Sequence, residues 1–338
     1  MELSNTMQEY KFDFIGFGAL NADTFYSIML NKKLEDIISD LLPGGERIGV
    51  ESERYRIIKN AEKYAENTGK SGGGQAANTA VALARMGFRC GFIGKVGDDE
   101  LGDLLLESME SVDISHIQRE GNSGTCLCLL DQFGERANIV FPGSNDAISI
   151  GELDVGYAKN GRFLHLTSFC SEDILQLQEN LLSQNLVGTK ITFDPGEIYS
   201  RLGMDRLYRI LRRTNILFAT SKELELITKK DYQIGIKEII ECGTEIIVCK
   251  MSEHGSRIIT REDDIMIPVT RVEKVVDKTG AGDVYAAGFI AGILSGLPLE
   301  SCGNLASKTS AISITGYGRE NYPDNEFLRH YIDKLWHK

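Results

Sequence analysis

The segment of this chain best suited to chemistry reads DKTGAGD and occupies residues 277–283. Its small residues, Gly280, Ala281 and Gly282, stand directly before an apolar stretch with the character of a helix. Small side chains at a helix N-terminus leave backbone N–H groups accessible to an anion, which the positive end of the helix dipole also attracts. Asp283 lies in the first turn of that helix and would face the same point. The segment therefore predicts an anion site beside a carboxylate, although Asp283 can instead serve only as a helix cap.

Two further segments carry groups that can bind a polar ligand. Residues 71–78 read SGGGQAAN; three consecutive glycines let the backbone approach a ligand closely, and Asn78 lies one helical turn beyond them. Asn21 and Asp23 follow a predicted strand at 11–16, and ligands bind at the carboxyl ends of strands in open α/β sheets. The alternatives are a flexible linker at the glycines and an ordinary turn at Asn21 and Asp23.

Alternating strands and helices are predicted to position these segments. Short apolar runs and amphipathic stretches follow one another with short connections, which is typical of a parallel sheet with helices on both faces. The predicted strands are 11–16, 88–96, 162–166, 190–193, 215–218, 245–249 and 256–260. The predicted helices are 75–87, 99–109, 172–184, 203–212, 221–227 and 234–241, and a hairpin is predicted from 125–130 and 137–141.

The stretch from residue 29 to residue 70 is polar and helix-prone. Apolar residues recur at helical spacing within 34–42 and again within 57–65. Pro43-Gly44-Gly45 separates the two patterns. We interpret the stretch as a solvated insertion without chemistry, and a role in gripping a substrate is the alternative.

Composition and charge exclude several classes of protein. The chain has 338 residues, a formal net charge of −12, 42% hydrophobic residues and 25% charged residues. These values are ordinary for a soluble globular protein and unlike those of a disordered one. The acidic balance argues against a binder of nucleic acid or of anionic membranes, because both attract basic surfaces. The longest apolar stretch, 284–299, contains glycines and a proline and is too short to span a bilayer.

The cysteines and histidines of the sequence indicate no redox or metal centre. Seven cysteines and five histidines are scattered along the chain, and the one close pair, Cys126-x-Cys128, matches neither a CxxC motif nor the usual zinc spacing. Such cysteines are typical of buried small side chains in a reducing cytosol. The first residues do not have the pattern of a signal peptide, so we expect a cytoplasmic protein.

Taken together, these segments resemble the PfkB, or ribokinase-like, family of small-molecule kinases. The resemblance runs from Gly18-x-x-Asn21-x-Asp23 to the loop Gly316-Tyr317-Gly318, and it includes GKVGDD at 94–99 and FPGSN at 141–145. The order and spacing of these landmarks are more specific than any one of them. The resemblance implies an α/β fold, a three-layer α/β/α ribokinase-like sandwich with a mostly parallel sheet.

Members of that family transfer the γ-phosphoryl group of ATP to a hydroxyl, typically a hydroxymethyl, of a sugar or a nucleoside. The resemblance implies one kinase domain over residues 1–338, with a smaller lid formed by about 22–72 and 113–142. It is compatible with a homodimer. Gln75 and Thr167 stand where ribokinases carry Lys and Glu, which argues against ribose as the acceptor. A catalytically silent protein that binds a sugar or a nucleotide is the alternative from another class.

The resemblance assigns a role to each conspicuous residue. Asp283 becomes the catalytic base, and we expect a weak one, because the helix dipole favours the charged form of a carboxylate at this position. The other implied roles are an anion hole at Gly280, Ala281 and Gly282, acceptor binding by Asn21, Asp23, Gly73, Gly74 and Asn78, and ATP binding by Thr220, Glu223, Ser252, Gly255, Ser307 and Gly318.

Two cations are implied by the same resemblance. Glu223 would organise Mg²⁺ through water, and Asp277 would help to hold K⁺ beside the anion hole. This chain departs from the family pattern at three nearby positions. Lys278 replaces a small residue, Thr220 replaces an Asn, and Ser252 replaces a Gly. Lys278 either lies in solvent or takes the place of potassium, and both alternatives stay open.

Overall fold

Two β-sheets form the framework of the part of the chain that the computed structural model describes, which comprises residues 10–38, 45–131, 136–149, 151 and 153–336. Within these residues the larger sheet has nine strands, in the spatial order Asp264–Ile267, Ser256–Ile259, Ile246–Lys250, Ile216–Thr220, Lys190–Asp194, Gly161–Thr167, Phe12–Phe17, Cys90–Val96 and Val112–Arg119. The smaller sheet has five, in the order Glu46–Ile48, Arg136–Phe141, Gly124–Leu130, Asn21–Ile28 and Ala65–Gly73.

Helices pack on both faces of the larger sheet. Successive side chains of the strand Phe12–Phe17 point to opposite faces, so Phe14 enters one hydrophobic core and Ile15 enters another. Helix Gln75–Arg85 contributes to the first core, and helix Glu172–Ser183 contributes to the second. The remaining described helices are Leu34–Ile37, Glu51–Tyr64, Glu100–Glu107, Val155–Lys159, Gly196–Ser200, Met204–Leu211, Ser221–Thr228, Tyr232–Cys242, Ala281–Leu294, Leu299–Ser313 and Asn325–Trp336. None of the described helices is long and apolar enough to cross a lipid bilayer.

The three-layer α/β/α sandwich predicted from the sequence is confirmed. Each predicted strand is present within two residues of its predicted bounds, and the strands pair in parallel except at one edge. There Ser256–Ile259 and Asp264–Ile267 form an antiparallel extension. The predicted hairpin is also confirmed, as Gly124–Leu130 paired with Arg136–Phe141. Its turn at 132–135 lies outside the described residues.

The segments expected to form the lid need one correction. The smaller sheet includes Asn21–Ile28, Ala65–Gly73 and the hairpin, but Val112–Arg119 pairs with Cys90–Val96 at the edge of the larger sheet. The expected lid segment 113–142 is therefore wrong in its first part. The sequence VDISHIQR alternates apolar and polar residues only in its first half, and most of its side chains are partly or fully exposed, as on an edge strand.

The interpretation of residues 29–70 as a solvated insertion is wrong in part. Helix Glu51–Tyr64 buries Ile57 and Ala61 against the smaller sheet, in one core with Leu127 and Leu129. The earlier helical pattern, 34–42, yields only the short helix Leu34–Ile37, and its second half lies within 39–44, outside the described residues. This part of the insertion therefore supports the outer face of the smaller sheet.

The topology brings the candidate residues to one place. Parallel strands present their carboxyl ends at one edge, where Asp194, Thr220 and Lys250 end three neighbouring strands. The smaller sheet begins at Asn21, shortly after the first strand of the larger sheet, and its strand Ala65–Gly73 leads into the next helix. A site at this edge is thus covered by the smaller sheet.

Candidate active site

A cavity of about 890 Å³ lies between the two sheets. The residues predicted for the anion hole line this cavity together with most of those predicted for acceptor and ATP binding. These residues are Asn21, Asp23, Gly74, Asn78, Thr220, Glu223, Ser252, Gly255, Gly280, Ala281, Gly282, Asp283 and Ser307. Gly73, Asp277 and Gly318 do not line it. Gly318 instead lines a smaller cavity of about 290 Å³, together with Arg85 and Arg319.

Asp283 is held by a chain of hydrogen bonds at the start of helix Ala281–Leu294. Gly280 precedes the helix with φ +70°, a conformation that suits glycine. The amide of Asn78 donates to Oδ2 of Asp283 at 2.8 Å, and Arg319 Nε donates to Oδ1 of Asn78 at 3.0 Å. Both ends of the Asn78 amide are therefore engaged. Asn78 also lines the cavity and its Nδ2 has a second N–H, so acceptor binding by Asn78 stays a prediction, to which this geometry adds the orientation of Asp283.

The protonation of Asp283 also differs from the expectation. Burial, followed by the charge of Asp194, raises the pKa of Asp283 to about 7, against the opposing effect of the Asn78 hydrogen bond. The expectation of a weak base rested on the helix dipole, whose effect is smaller than that of burial here. A carboxylate with a pKa near 7 can take a proton effectively at neutral pH.

Positive charge and backbone N–H groups meet beside Asp283. Lys250 forms a buried ion pair with Asp194 at 2.7 Å, and its Nζ lies 3.3 Å from the point where a Cβ on Gly282 would stand. Burial opposes the charge of Lys250, but Asp194 and Glu223 raise its pKa above the ordinary value. The predicted anion hole keeps its position in the first turn of the helix. One of its three N–H groups, that of Ala281, donates to the carbonyl of Lys278 at 3.2 Å.

The end of the cavity that is predicted to bind the acceptor, here called the acceptor end, contains Asn21 and Asp23. Asn145 donates to Oδ1 of Asn21 at 2.9 Å, so the group that Asn21 can offer a ligand is its Nδ2 donor. Gly73 pairs with Asn21 across the smaller sheet, and a Cβ there would stand 2.0 Å from Oδ2 of Asp23. Gly73 therefore makes room for Asp23, and the structure does not place it in contact with the cavity. Gly74 lines the cavity and has φ +105°.

The end of the cavity that is predicted to bind the nucleotide, here called the nucleotide end, contains Thr220 and Glu223. The Thr220 hydroxyl accepts from the N–H of Glu223 at 3.2 Å, and Glu223 Oε2 accepts from the N–H of Thr220 at 2.7 Å. This capping box starts helix Ser221–Thr228 and explains how Thr can stand at a position where an Asn is usual. Ser252 has φ +50°, a backbone conformation that favours glycine, and this explains why glycine is the usual residue at this position in the family. Ser307 lines the cavity while its hydroxyl donates to the carbonyl of Pro268 at 3.0 Å.

Asp277 connects the segment before helix Ala281–Leu294 to the C-terminal loop. Its Oδ1 accepts from the N–H of Thr279 at 2.8 Å, and its Oδ2 accepts from the N–H of Gly318 at 3.1 Å. Asp277, which is predicted to help hold potassium, is therefore adjacent to Gly318. Lys278 is exposed and lines the cavity.

Several charged residues of the site were not found from the sequence, among them Asp194, Lys250, Arg319 and Glu46. Asp194 and Lys250 end buried strands at the ligand edge, and that position was a usable signal. Arg319 is buried behind Asn78 and follows the 316–318 loop directly. Glu46 lines the cavity from a short edge strand inside the polar insertion, where no pattern marked it.

Glu46 extends the acidic character of the acceptor end. Burial, and then the carboxylates of Glu197 and Glu223, raise the pKa of Glu46 to about 7. Asp23 and Asp146 line the same cavity. Lys250 and Lys278 are the only basic residues among the described residues that line it.

Comparison with known proteins shows the family to which the chain belongs. Residues 46–325 match the model of the pfkB family carbohydrate kinases. An uncharacterized sugar kinase of Archaeoglobus fulgidus is 37% identical over 251 residues, which cover 72% of this chain and 98% of that protein. An ATP-dependent ribose-1-phosphate kinase of Halopiger xanaduensis is 30% identical over 270 residues, which cover 78% of this chain and 88% of that protein. The chain belongs to the PfkB family of carbohydrate kinases.

The fold is also similar to that of solved structures. Adenosine kinase from Sinorhizobium meliloti superposes with a TM-score of 0.83 at 20% sequence identity, over 96% of this chain and 99% of that one. At this identity the likeness concerns the fold, which is ribokinase-like.

Proposed function

We propose that this protein transfers the γ-phosphoryl group of ATP to a hydroxyl of a neutral sugar, with Asp283 as the base. The observation that carries the proposal is the position of Asp283. It is a buried carboxylate with a pKa near 7, held by Asn78 at a helix N-terminus. Lys250 stands beside the same helix start.

The reaction follows from these groups. Asp283 accepts the proton of the acceptor hydroxyl as the oxygen bonds to the γ-phosphorus, and the bond from that phosphorus to the bridging oxygen breaks to release ADP. The transition state is loose, so positioning and charge stabilisation supply most of the catalysis. The first-turn N–H groups near Gly282 and the ammonium of Lys250 face the charge on the transferring group. The smaller sheet closes over the acceptor and excludes water that would otherwise hydrolyse ATP.

The residues at the nucleotide end fit a magnesium ion. Magnesium prefers oxygen ligands and keeps several waters, and Glu223 lines the cavity with a carboxylate whose Oε2 accepts from Thr220. Its Oε1 is the remaining oxygen for a hydrated ion. When bound with ATP, the ion would neutralise charge on the phosphates. Asp277 and Gly318 support a potassium site next to the helix start, as proposed from the sequence.

The charge of the acceptor end favours a neutral acceptor. Asp23, Glu46 and Asp146 line it, while Lys250 is paired with Asp194 and Lys278 lies on the DKTGAGD segment. A carboxylate or phosphate on the acceptor would face these acidic side chains without a cation to offset the repulsion, which grows as Glu46 ionises above about pH 7. Ionised acids accept hydrogen bonds, which suits the hydroxyls of a polyol. Ribose 1-phosphate, the substrate in the name of one relative, does not fit this charge.

A nucleoside is the second candidate acceptor. Phe169 and Ile198 line the cavity and offer apolar surface that a base could cover. A coupled assay of ADP release, run with neutral sugars, sugar acids, sugar phosphates and nucleosides, separates the candidates. We expect the largest kcat/KM with a neutral sugar. Binding of a sugar without acceptor-dependent ADP release from any compound would instead identify a catalytically silent protein.

A further inference from the structure

The strands at the acceptor end bring together three side chains of types that can bind a metal ion. Asp23 and Cys126 are register partners on adjacent parallel strands, and Cys128 follows two residues later on the same face. One ligand atom from each of the three lies within 4.8 Å of the others, and all three residues are buried. All three also line the cavity. The sequence spacing alone gave no indication of this cluster, because the third group comes from another strand.

The separation of the two sulfurs matches the geometry of a soft metal ion. Cys126 Sγ and Cys128 Sγ are 3.8 Å apart. Two thiolates at about 2.3 Å from a tetrahedral zinc ion stand about 3.8 Å apart, so both can bind one ion without a change of backbone. Asp23 supplies a third ligand, and the fourth position opens on the cavity. We propose that Asp23, Cys126 and Cys128 form a binding site for a thiophilic divalent cation, Zn²⁺ or Cd²⁺.

The chemistry of the ligands separates this site from the magnesium site. Thiolates select Zn²⁺ and Cd²⁺ over Mg²⁺, which prefers oxygen ligands such as those of Glu223. Glu46 lines the same cavity, interacts electrostatically with Cys126, and adds negative charge that favours a cation when it is ionised.

Metal binding has a consequence for catalysis, and this part rests on the proposed function. Asp23 is the carboxylate proposed to accept hydrogen bonds from the sugar. An ion bound to Asp23 occupies that carboxylate and stands in the acceptor space. The ion therefore inhibits phosphoryl transfer in competition with the sugar and not with ATP.

The binding test uses Cd²⁺ as the probe and requires no activity. Titration of the reduced protein, without ATP or sugar, should produce the ultraviolet charge-transfer band of a cadmium thiolate that saturates at one ion per chain. Loss of residues that only orient a metal ligand weakens binding about 10- to 100-fold, so loss of a ligand should cost at least as much. We expect Cys126→Ser and Cys128→Ser each to weaken binding to at least that extent. Cys170→Ser is the matched control, since Cys170 lines the same cavity outside the cluster, and it should retain the wild-type affinity.

The outcomes separate the site from the proposed function. A wild-type protein without the band, or a band that survives in the Cys126→Ser, Cys128→Ser double variant, overturns the metal site. Where the band behaves as expected, Zn²⁺ should raise the apparent KM for the sugar and leave that for ATP unchanged in wild type and in Cys170→Ser. Inhibition that changes only the KM for ATP would overturn the competition with sugar while leaving the metal site in place. A protein that binds Cd²⁺ as expected and transfers no phosphoryl group would overturn the proposed function alone.

Discussion

The amide of Asn78 donates a hydrogen bond of 2.8 Å to Oδ2 of Asp283, although the two residues lie 205 positions apart in the chain. The carbonyl oxygen of the same amide accepts from Arg319. This arrangement fixes which way the Asn78 amide faces, because a guanidinium can only donate. Asp283 is thereby oriented by a donor whose own orientation is fixed.

Asn78→Ala should lower kcat by about 10- to 100-fold, which corresponds to a hydrogen bond to a charged group worth about 1.5–3 kcal/mol. The Asn78 hydrogen bond lowers the pKa of Asp283, so its loss should raise that pKa further above about 7. Because the base works when deprotonated, the rising limb of the kcat–pH profile should move to higher pH. Asn60→Ala, in the outer helix of the smaller sheet, is the control and should keep the wild-type profile. An unmoved limb in Asn78→Ala would count against the orienting role.

Asp23→Ala should raise the KM for the sugar and leave the KM for ATP unchanged. Each hydrogen bond from a sugar hydroxyl to a buried carboxylate contributes about 1.5–3 kcal/mol, so the expected rise is about 10- to 100-fold per bond lost. Steady-state kinetics with each substrate varied in turn measure both values. Asp36→Ala, on the outer face of the smaller sheet, serves as the control. Equal rises in both KM values would remove Asp23 from acceptor binding.

Glu46→Gln should stabilise the protein at pH 8 and have little effect at pH 4. The folded pKa of Glu46 is about 7, well above the value of about 4.3 in an unfolded chain. The folded state therefore holds a proton that the unfolded state loses, and stability falls as pH rises from about 4 to 7. Gln cannot ionise, so the variant should avoid this loss of unfolding free energy, which is about 1–3 kcal/mol above pH 7. Thermal unfolding of wild type and variant at both pH values measures this difference in stability. Glu66→Gln is the control, because Glu66 is exposed. A stability difference that does not change between pH 4 and pH 8 would contradict the account.

Potassium should raise kcat, and the size of this increase should not depend on the side chain of Lys278. Asp277 and Gly318 are adjacent, whereas Lys278 is exposed. A cation there would add positive charge behind the anion hole. The measurement is kcat in sodium-free buffer with potassium titrated against tetramethylammonium at constant ionic strength. A flat response of the wild type that becomes potassium-dependent in Lys278→Thr would show that the lysine acts as the built-in cation.

Most strands of the large sheet and several of its helices could be predicted from the sequence because their signals are local, whereas the helices Leu299–Ser313 and Asn325–Trp336 were not predicted. Buried parallel strands such as Ile216–Thr220 are nearly continuous apolar runs, and the DKTGAGD segment carries its own helix start. Edge strands such as Val112–Arg119 were missed because their alternation is weak and half exposed.

The parts of the site that could not be predicted depend on contacts between distant segments. The sequence cannot show that the Asn78 amide is used by Asp283 and Arg319, or that burial outweighs the helix dipole in setting the pKa of Asp283. The cluster of Asp23 with Cys126 and Cys128 likewise requires the register of two strands.

The central claim is that Asp283 accepts the proton of the acceptor hydroxyl. Asn at this position keeps the size of the side chain and its hydrogen bonding but cannot take a proton. The most direct measurement is therefore the rate of sugar phosphorylation by Asp283→Asn under saturating ATP and sugar, with both affinities measured separately by calorimetry. We predict that kcat falls about 10²- to 10⁴-fold while both affinities stay close to wild type. A variant that retains more than about a third of the wild-type kcat would contradict the role of Asp283 as the base.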